Sequence, residues 1–150
     1  MVQVGDVAPD FVLTDQHGVP TSLSAQVGPV LVVFFPAAFT PVCHGELDDL
    51  RSVADDVVVL AISCDSMYVL RALADAEGIG YPLLSDFWPH GDVSRAYGAF
   101  DDATGMARRV SVLVDRQGTV AARWESPAGQ PRDPADYLRA VRDLSDQPTA

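Results

Sequence analysis

Residues 30–46, VLVVFFPAAFTPVCHGE, predict a buried strand, a short loop and the start of a helix. The first six residues carry no polar side chain, which is typical of a strand covered on both faces inside a parallel or mixed sheet. Pro36 ends this strand. Pro41 favours the first turn of a helix, where its missing N–H would lack a partner in any case, and Thr40 before it is a predicted N-cap. The stretch therefore places Cys43 in the first turn of a helix, directly after a central strand.

This position favours a reactive cysteine. The thiolate is the nucleophilic form of cysteine, and the unpaired N–H groups and positive dipole end of a helix N-terminus favour an anion. A lone free cysteine is otherwise more often a small buried hydrophobic residue. Because Cys43 follows a strand end and lies in a first helical turn, we interpret it as a nucleophile.

The segments that follow alternate between helical and strand patterns. Apolar or small residues recur at helical spacing from Cys43 to about Val53, and residues 57–62 form a second run typical of a buried strand. Residues 67–77 predict a second helix, which Gly78 ends. This β-α-β-α order predicts an α/β fold with a central mixed sheet, helices on both faces, and active residues at the carboxyl end of a central strand.

Turn residues predict a hairpin near each end of the chain. Residues 11–14 and 21–24 flank the turn sequence DQHGVP, which predicts an N-terminal β-hairpin. Strands at 110–115 and 119–125 form a second hairpin that closes the sheet. The periodicity of residues 134–144 predicts a C-terminal helix with one face on the domain.

Composition limits the class of protein and its partners. The 150 residues are 48% hydrophobic, which fits one globular domain over residues 1–150 with its own core. Ten basic and 21 acidic residues give a net charge of −11, so nucleic acid and anionic membrane surfaces are unfavourable partners. No signal-peptide pattern precedes Gly5, and the longest apolar run, residues 29–39, is too short to span a membrane. We therefore expect a cytoplasmic protein.

The stretch around Cys43 also resembles a known pattern. Pro36, Thr40 and Cys43 match the P-x-x-x-T-x-x-C motif of the peroxiredoxins, and Glu46 stands three residues later, where a glutamate is frequent in that family. Three further segments are similar to peroxiredoxins: GDVAPDF at 5–11, YPLLSDFWPHG at 81–91 and VLVD at 112–115. The resemblance covers most of the chain and is strongest to the AhpE-like one-cysteine branch of actinobacteria. It implies a thioredoxin-like fold and a thiol-dependent peroxidase.

By this resemblance, catalytic roles fall on four residues of the motif. Cys43 attacks the peroxide, Thr40 contributes its hydroxyl to the peroxide network, and Pro36 shields the thiolate from bulk water. Glu46 lies on the same helix face as Cys43. Because an unpaired carboxylate there would disfavour the thiolate, we expect Glu46 to pair with an arginine. Without the resemblance, Thr40 would be only a helix cap and Pro36 only a strand end.

A fifth catalytic residue is expected on a distant strand. By resemblance, the active-site arginine of peroxiredoxins lies six residues before an aspartate that ends a strand, which is the spacing from Arg109 to Asp115. Arg108 is the competing candidate. Adjacent strand residues point to opposite faces, so only one of the two arginines can face the sulfur. Val110 and Val112 depart from the family pattern of a small and an aromatic residue, which leaves the packing around Arg109 open.

The resemblance also implies the reaction and its partners. Hydrogen peroxide, organic hydroperoxides or peroxynitrite would convert Cys43 to a sulfenic acid. An external thiol, either a mycoredoxin with mycothiol or a thioredoxin, would then reduce it. The alternative is internal resolution by Cys64, although the end of a buried strand is a poor site for a resolving cysteine. Neither route uses a cofactor or a metal ion.

Two other classes of protein share parts of this pattern. A thioredoxin-like disulfide reductase would explain the sheet and the cysteine at a helix start, but Thr40 stands where the first cysteine of C-x-x-C would be. A metal-binding module could use Cys43, His44, Cys64 and His90, although their spacing matches no zinc pattern.

The aromatic run FWPH at residues 87–90 predicts a contact surface. Trp and Phe are enriched at protein interfaces. Peroxiredoxins that resemble this chain generally dimerise near the active site, so we expect a homodimer or a higher homo-oligomer. The structural alternative is a packed loop.

Overall fold

A mixed β-sheet forms the centre of the chain in the computed structural model, which describes residues 2–146. The strands are β1 (Val12–Thr14), β2 (Pro20–Ser22), β3 (Val30–Phe34), β4 (Val58–Ser63), β5 (Leu83–Ser85), β6 (Phe100–Asp101), β7 (Met106–Ala107), β8 (Arg109–Val114) and β9 (Val120–Ser126). The helices are α1 (Pro41–Val53), α2 (Met67–Glu77), α3 (Asp92–Ala96) and α4 (Pro134–Ser145).

Seven of the strands form one sheet in the order β2-β1-β5-β4-β3-β8-β9, and β6 pairs separately with β7. Strand β3 is parallel to β4 and antiparallel to β8. The hairpins β1–β2 and β8–β9 are antiparallel. The prediction of a central mixed sheet flanked by helices, with an N-terminal β-hairpin, is confirmed.

Strand β3 is buried along its whole length and separates two hydrophobic cores. Leu31 and Val33 pack on the face covered by α1, α2 and α4. Val32 and Phe34 pack on the opposite face, against the N-terminal segments and the residues around α3. This double burial explains why the strand has no polar residue.

The sheet topology brings Arg109 and the segment that carries Cys43 together at one edge of the sheet. Val33 of β3 pairs with Ser111 of β8 in antiparallel register. Because β8 runs in the opposite direction, its first residue, Arg109, lies beside the carboxyl end of β3. The chain leaves β3 at that end and enters α1, which carries Cys43. None of the helices within residues 2–146 combines the length and the apolar character that a membrane span requires.

Two features of the strand arrangement differ from the sequence prediction. Strand β5 was not predicted, because it has only three residues directly after Pro82 and no alternating pattern of its own. It joins the sheet through parallel pairing with β4 and one antiparallel pair with β1. The pair β6–β7 has two residues in each strand, which is too short to give a periodic signal.

Candidate active site

The sulfur of Cys43 lies beneath the surface in direct contact with an arginine. Cys43 is the third residue of α1 and is only 1% exposed. Arg109 Nη2 donates a hydrogen bond to Cys43 Sγ over 3.4 Å. A charged guanidinium is therefore the hydrogen-bond donor to the sulfur at this buried position.

Glu46 is the second partner of Arg109 and binds a further arginine. Its carboxylate is 5% exposed and accepts a hydrogen bond from Arg109 Nη1. Arg132 donates to Glu46 Oε2 from its backbone N–H and from Nε, both over 2.8 Å, and to Oε1 from Nη2 over 3.1 Å. One carboxylate therefore stands between two guanidinium groups, and the three side chains carry a net charge of +1 beside the Cys43 sulfur.

Hydrogen bonds from a side chain and from the backbone hold the loop between β3 and α1. Thr40 occupies the N-cap position of α1, as predicted, but its hydroxyl makes no capping bond and donates to the Ala37 carbonyl over 2.9 Å. The Ala38 N–H donates to the Asp65 carboxylate over 2.8 Å. Phe39 has a φ of 62°, in the left-handed region that side chains rarely adopt, and it is exposed. The loop is thus held in a strained shape that presents Thr40 and Cys43 at the edge of the sheet.

The structure brings three of the five residues predicted for the site into contact with one another. Cys43, Glu46 and Arg109 form one hydrogen-bonded cluster. Pro36 and Arg109 line one groove, which neither Cys43 nor Thr40 lines. Thr40 stands three residues before the sulfur, with its hydroxyl bonded to the loop.

Arg108 lies in a different environment from Arg109. Its Nη2 donates to the carbonyl of Gly98, and it is 3.9 Å from the Glu125 carboxylate. Arg109 shares its side of β8 with Ser111, as the alternation of strand residues requires. The structure therefore brings Arg109, and not Arg108, to the sulfur.

Sequence reasoning missed Arg132. It lies in the segment before α4, where Asp133 caps the helix through its side chain and Pro134 takes the first helical position. An arginine beside a predicted helix start is usually exposed to solvent. The one signal in the sequence was the need of Glu46 for a cation, and that need does not identify which arginine supplies it.

Cys64 faces the opposite side of the sheet. It follows β4 directly, and its Sγ lies 3.9 Å from Ser94 Oγ of α3. Burial and the nearby Asp86 carboxylate raise the pKa of Cys64 to about 11, against the opposing effect of the hydrogen bond with Ser94. Cys64 is therefore a neutral thiol at physiological pH.

The remaining candidates for a metal site do not converge. His90 Nε2 lies 2.7 Å from the Gly105 carbonyl, and His44 lies 3.5 Å from Glu77. Within residues 2–146, no group of three or more His, Cys, Asp and Glu side chains is arranged to hold a metal ion.

The raised pKa of Cys64 predicts a distinct pH dependence for its alkylation. In a Cys43→Ser variant, where Cys64 is the remaining cysteine, the rate of reaction with iodoacetamide should rise about tenfold per pH unit from pH 7.5 to 9.5 without levelling off, because the thiolate forms only as the pH approaches about 11. The control is the same variant in guanidinium chloride, where the rate should level off near the ordinary value of about 8.5. Levelling off below pH 9 in the folded protein would contradict this assignment.

Comparisons with known proteins identify the family of this chain. Residues 4–123 match the AhpC/TSA family. Alkyl hydroperoxide reductase E of Mycobacterium tuberculosis is 44% identical to this chain, over 97% of this chain and 99% of that protein. Peroxiredoxin Bcp of Escherichia coli is 34% identical, over 79% and 83% of the two chains. The crystal structure of peroxidoxin BcpB from Mycobacterium tuberculosis has a TM-score of 0.85 and 28% identity, covering 99% of this chain and 100% of that one. The chain belongs to the AhpC/TSA family and is an AhpE-like peroxiredoxin, a thiol peroxidase.

Proposed function

We propose that this peroxiredoxin reduces hydrogen peroxide, organic hydroperoxides and peroxynitrite through Cys43. The observation that carries the proposal is the 3.4 Å contact between Arg109 and the buried sulfur. A thiolate nucleophile needs a cation that stabilises it, and the same cation can stabilise the oxyanion that leaves when the O–O bond breaks. Arg109 lies where it can serve both purposes.

The proposed reaction is a single displacement at the peroxide oxygen. The Cys43 thiolate attacks the distal oxygen of the peroxide, an S–O bond forms, and the O–O bond breaks. The remaining oxygen leaves with the bonding electron pair and takes up a proton to become water or an alcohol, and Cys43 becomes a sulfenic acid. The N–H of Cys43 is one of the first-turn donors that have no partner within a helix, so it can donate to the reacting oxygen.

Thr40 and Pro36 have supporting roles in this proposal. The Thr40 hydroxyl donates to Ala37, which leaves its oxygen free to accept a hydrogen bond from the peroxide. Pro36 lines the groove beside Arg109, and by resemblance to the family it limits the access of water to the sulfur. Glu46 positions the guanidinium of Arg109 through their ion pair.

We propose that an external thiol, from a mycoredoxin with mycothiol or from a thioredoxin, recycles the sulfenic acid. It would attack the Cys43 sulfur, release water and form a mixed disulfide that a second thiol reduces. Cys64 is a poor resolving residue because it faces α3 on the other side of the sheet and is held as a neutral thiol. A reducing compartment that supplies such thiols is the cytoplasm, which we propose as the location.

We further propose a homodimer, or a higher homo-oligomer, that forms at the edge of the sheet carrying Cys43. Phe39, Tyr68 and Trp88 follow three neighbouring parallel strands and lie exposed at that edge, with Trp88 81% exposed. Exposed aromatic residues that cluster on one side of a protein mark an interaction surface. A second copy of the chain would cover them.

Intact mass spectrometry tests the one-cysteine reaction. After one equivalent of hydrogen peroxide, the reduced protein and its Cys64→Ser variant should each gain one oxygen, or a dimedone adduct when that reagent is present. The Cys43→Ser variant should gain neither, because it lacks the nucleophile.

Two other results of this experiment would contradict the proposal. Loss of two hydrogen atoms in the unmodified protein but not in Cys64→Ser would mean an internal disulfide with Cys64 as the resolving residue. No rapid change of mass in any sample would contradict peroxidase chemistry at Cys43.

Substitution of the two adjacent arginines tests the role of Arg109. Arg109→Ala should lower the second-order rate constant of Cys43 oxidation by about 10²- to 10³-fold, because it removes the charged donor at the reacting atoms. Arg108→Ala is the matched control and should stay within about threefold of the unmodified rate. Stopped-flow fluorescence would measure the rates, and Arg109→Lys would separate the loss of charge from a folding defect. A larger effect of Arg108→Ala would contradict the assignment.

Sedimentation velocity tests the dimer surface. Trp88→Glu should shift the protein from dimer to monomer, because it places a charge in the proposed contact. Val27→Glu is the control: Val27 is 88% exposed and lies in the loop before β3, at the opposite end of that strand. A monomeric unmodified protein, or equal effects of the two substitutions, would contradict the proposed surface.

A further inference from the structure

A pair of buried hydroxyl groups lies behind the arginine cluster. Ser111 Oγ on β8 and the Tyr137 hydroxyl on α4 are 2.7 Å apart, and either can be the donor. Arg132 Nη1 donates to Ser111 Oγ over 3.0 Å. Both hydroxyl residues are buried, and neither has a role in the chemistry described above.

We propose that Tyr137 and Ser111 are positioning residues for the catalytic arginine. They hold the guanidinium of Arg132, which in turn sets the carboxylate of Glu46 and so the orientation of Arg109 against Cys43. This inference rests on the proposed function of Arg109 and extends it to helix α4.

The proposed coupling between Arg132 and Arg109 passes through one oxygen atom. Glu46 Oε1 accepts hydrogen bonds from both Arg109 Nη1 and Arg132 Nη2. A rotation of the Arg132 guanidinium therefore moves the atom to which Arg109 is bound. The bond from Arg132 Nη1 to Ser111 opposes that rotation, because Nη1 would lose its acceptor at a buried position.

The Tyr137 hydroxyl is not needed for packing. The Tyr137 ring packs against Trp124 in an edge-to-face arrangement with centroids 5.1 Å apart, and a phenylalanine would make the same contact. A buried hydroxyl is costly without a partner, and among residues 2–146 Ser111 is the hydrogen-bond partner of this one. Burial raises the pKa of the Tyr137 phenol, so Tyr137→Phe removes a neutral hydroxyl and leaves the charge of the cluster unchanged.

The test compares Tyr137→Phe, Ser111→Ala and the double variant with Val141→Ala. Val141 is a buried residue of α4 that belongs to the same core as Tyr137 but not to the hydrogen-bonded cluster. Two quantities are measured in a Cys64→Ser background: the rate constant of oxidation by hydrogen peroxide, and the pH midpoint of Cys43 alkylation by iodoacetamide. Thermal unfolding is recorded for each variant.

We expect Tyr137→Phe and Ser111→Ala each to slow oxidation by about five- to tenfold and to move the alkylation midpoint to higher pH, because a loosened Arg109 stabilises the thiolate less well. The double variant should be no slower than Ser111→Ala, since both changes break one chain of contacts. Val141→Ala should lower the melting temperature and leave both other quantities unchanged.

Two results would overturn the inference. One is an unchanged rate and an unchanged midpoint in Tyr137→Phe and Ser111→Ala. The other is a shift in Val141→Ala as large as in Tyr137→Phe, which would mean that any loosening of α4 has the same effect. The alkylation midpoint needs no peroxide, so it tests the positioning role even if the parent protein fails to react with hydrogen peroxide and the proposed function is wrong.

Discussion

The buried carboxylate of Glu46 between Arg109 and Arg132 is the interaction on which the site depends. Two guanidinium groups and one carboxylate have a net charge of +1, and one of these guanidinium groups donates a hydrogen bond to the Cys43 sulfur. A buried group of charges is most stable when it is paired and hydrogen-bonded throughout. Loss of the Glu46 carboxylate would therefore leave two buried guanidinium groups without a counter-charge beside the sulfur.

The sheet topology is what makes this cluster possible. Cys43 and Glu46 lie on one turn of α1, Arg109 begins β8, and Arg132 precedes α4, so three segments distant in sequence supply the charges. Strand β3 delivers the first segment, and its antiparallel neighbour β8 delivers the second to the same edge of the sheet. Helix α4 packs against α1 and closes the cluster from outside. The apolar strand β3, buried in the core, thus determines where α1 places Cys43 and Glu46.

Local patterns in the sequence were sufficient for the elements that surround Cys43. The apolar run of β3, the Thr40–Pro41 boundary and the helical spacing up to Val53 are short-range signals, and the structure agrees with them. Strand β5 has no such signal, because its pairing partners define it more than its three residues do. Tertiary pairing decides such elements, and a single sequence does not encode it in any periodic form.

The same limit applies to the site. Glu46 was expected to need an arginine because its carboxylate lies near the sulfur, and Arg109 was selected by a resemblance in spacing combined with the alternation of strand residues. Arg132 and Tyr137 depend on how α4 docks against α1 and β8, which the spacing of residues within α4 does not determine. The Thr40 hydroxyl shows a further limit, since a residue at the N-cap position can have the right backbone and bind a different partner.

The two cysteines lie beside one sheet in different electrostatic surroundings. Cys43 and Cys64 follow neighbouring parallel strands, but they face opposite sides of the sheet. On one side the guanidinium of Arg109 donates a hydrogen bond to the Cys43 sulfur. On the other side burial and the carboxylate of Asp86 raise the pKa of Cys64 to about 11. Both sulfurs are buried, so exposure does not distinguish them, whereas the sign of the neighbouring charge does.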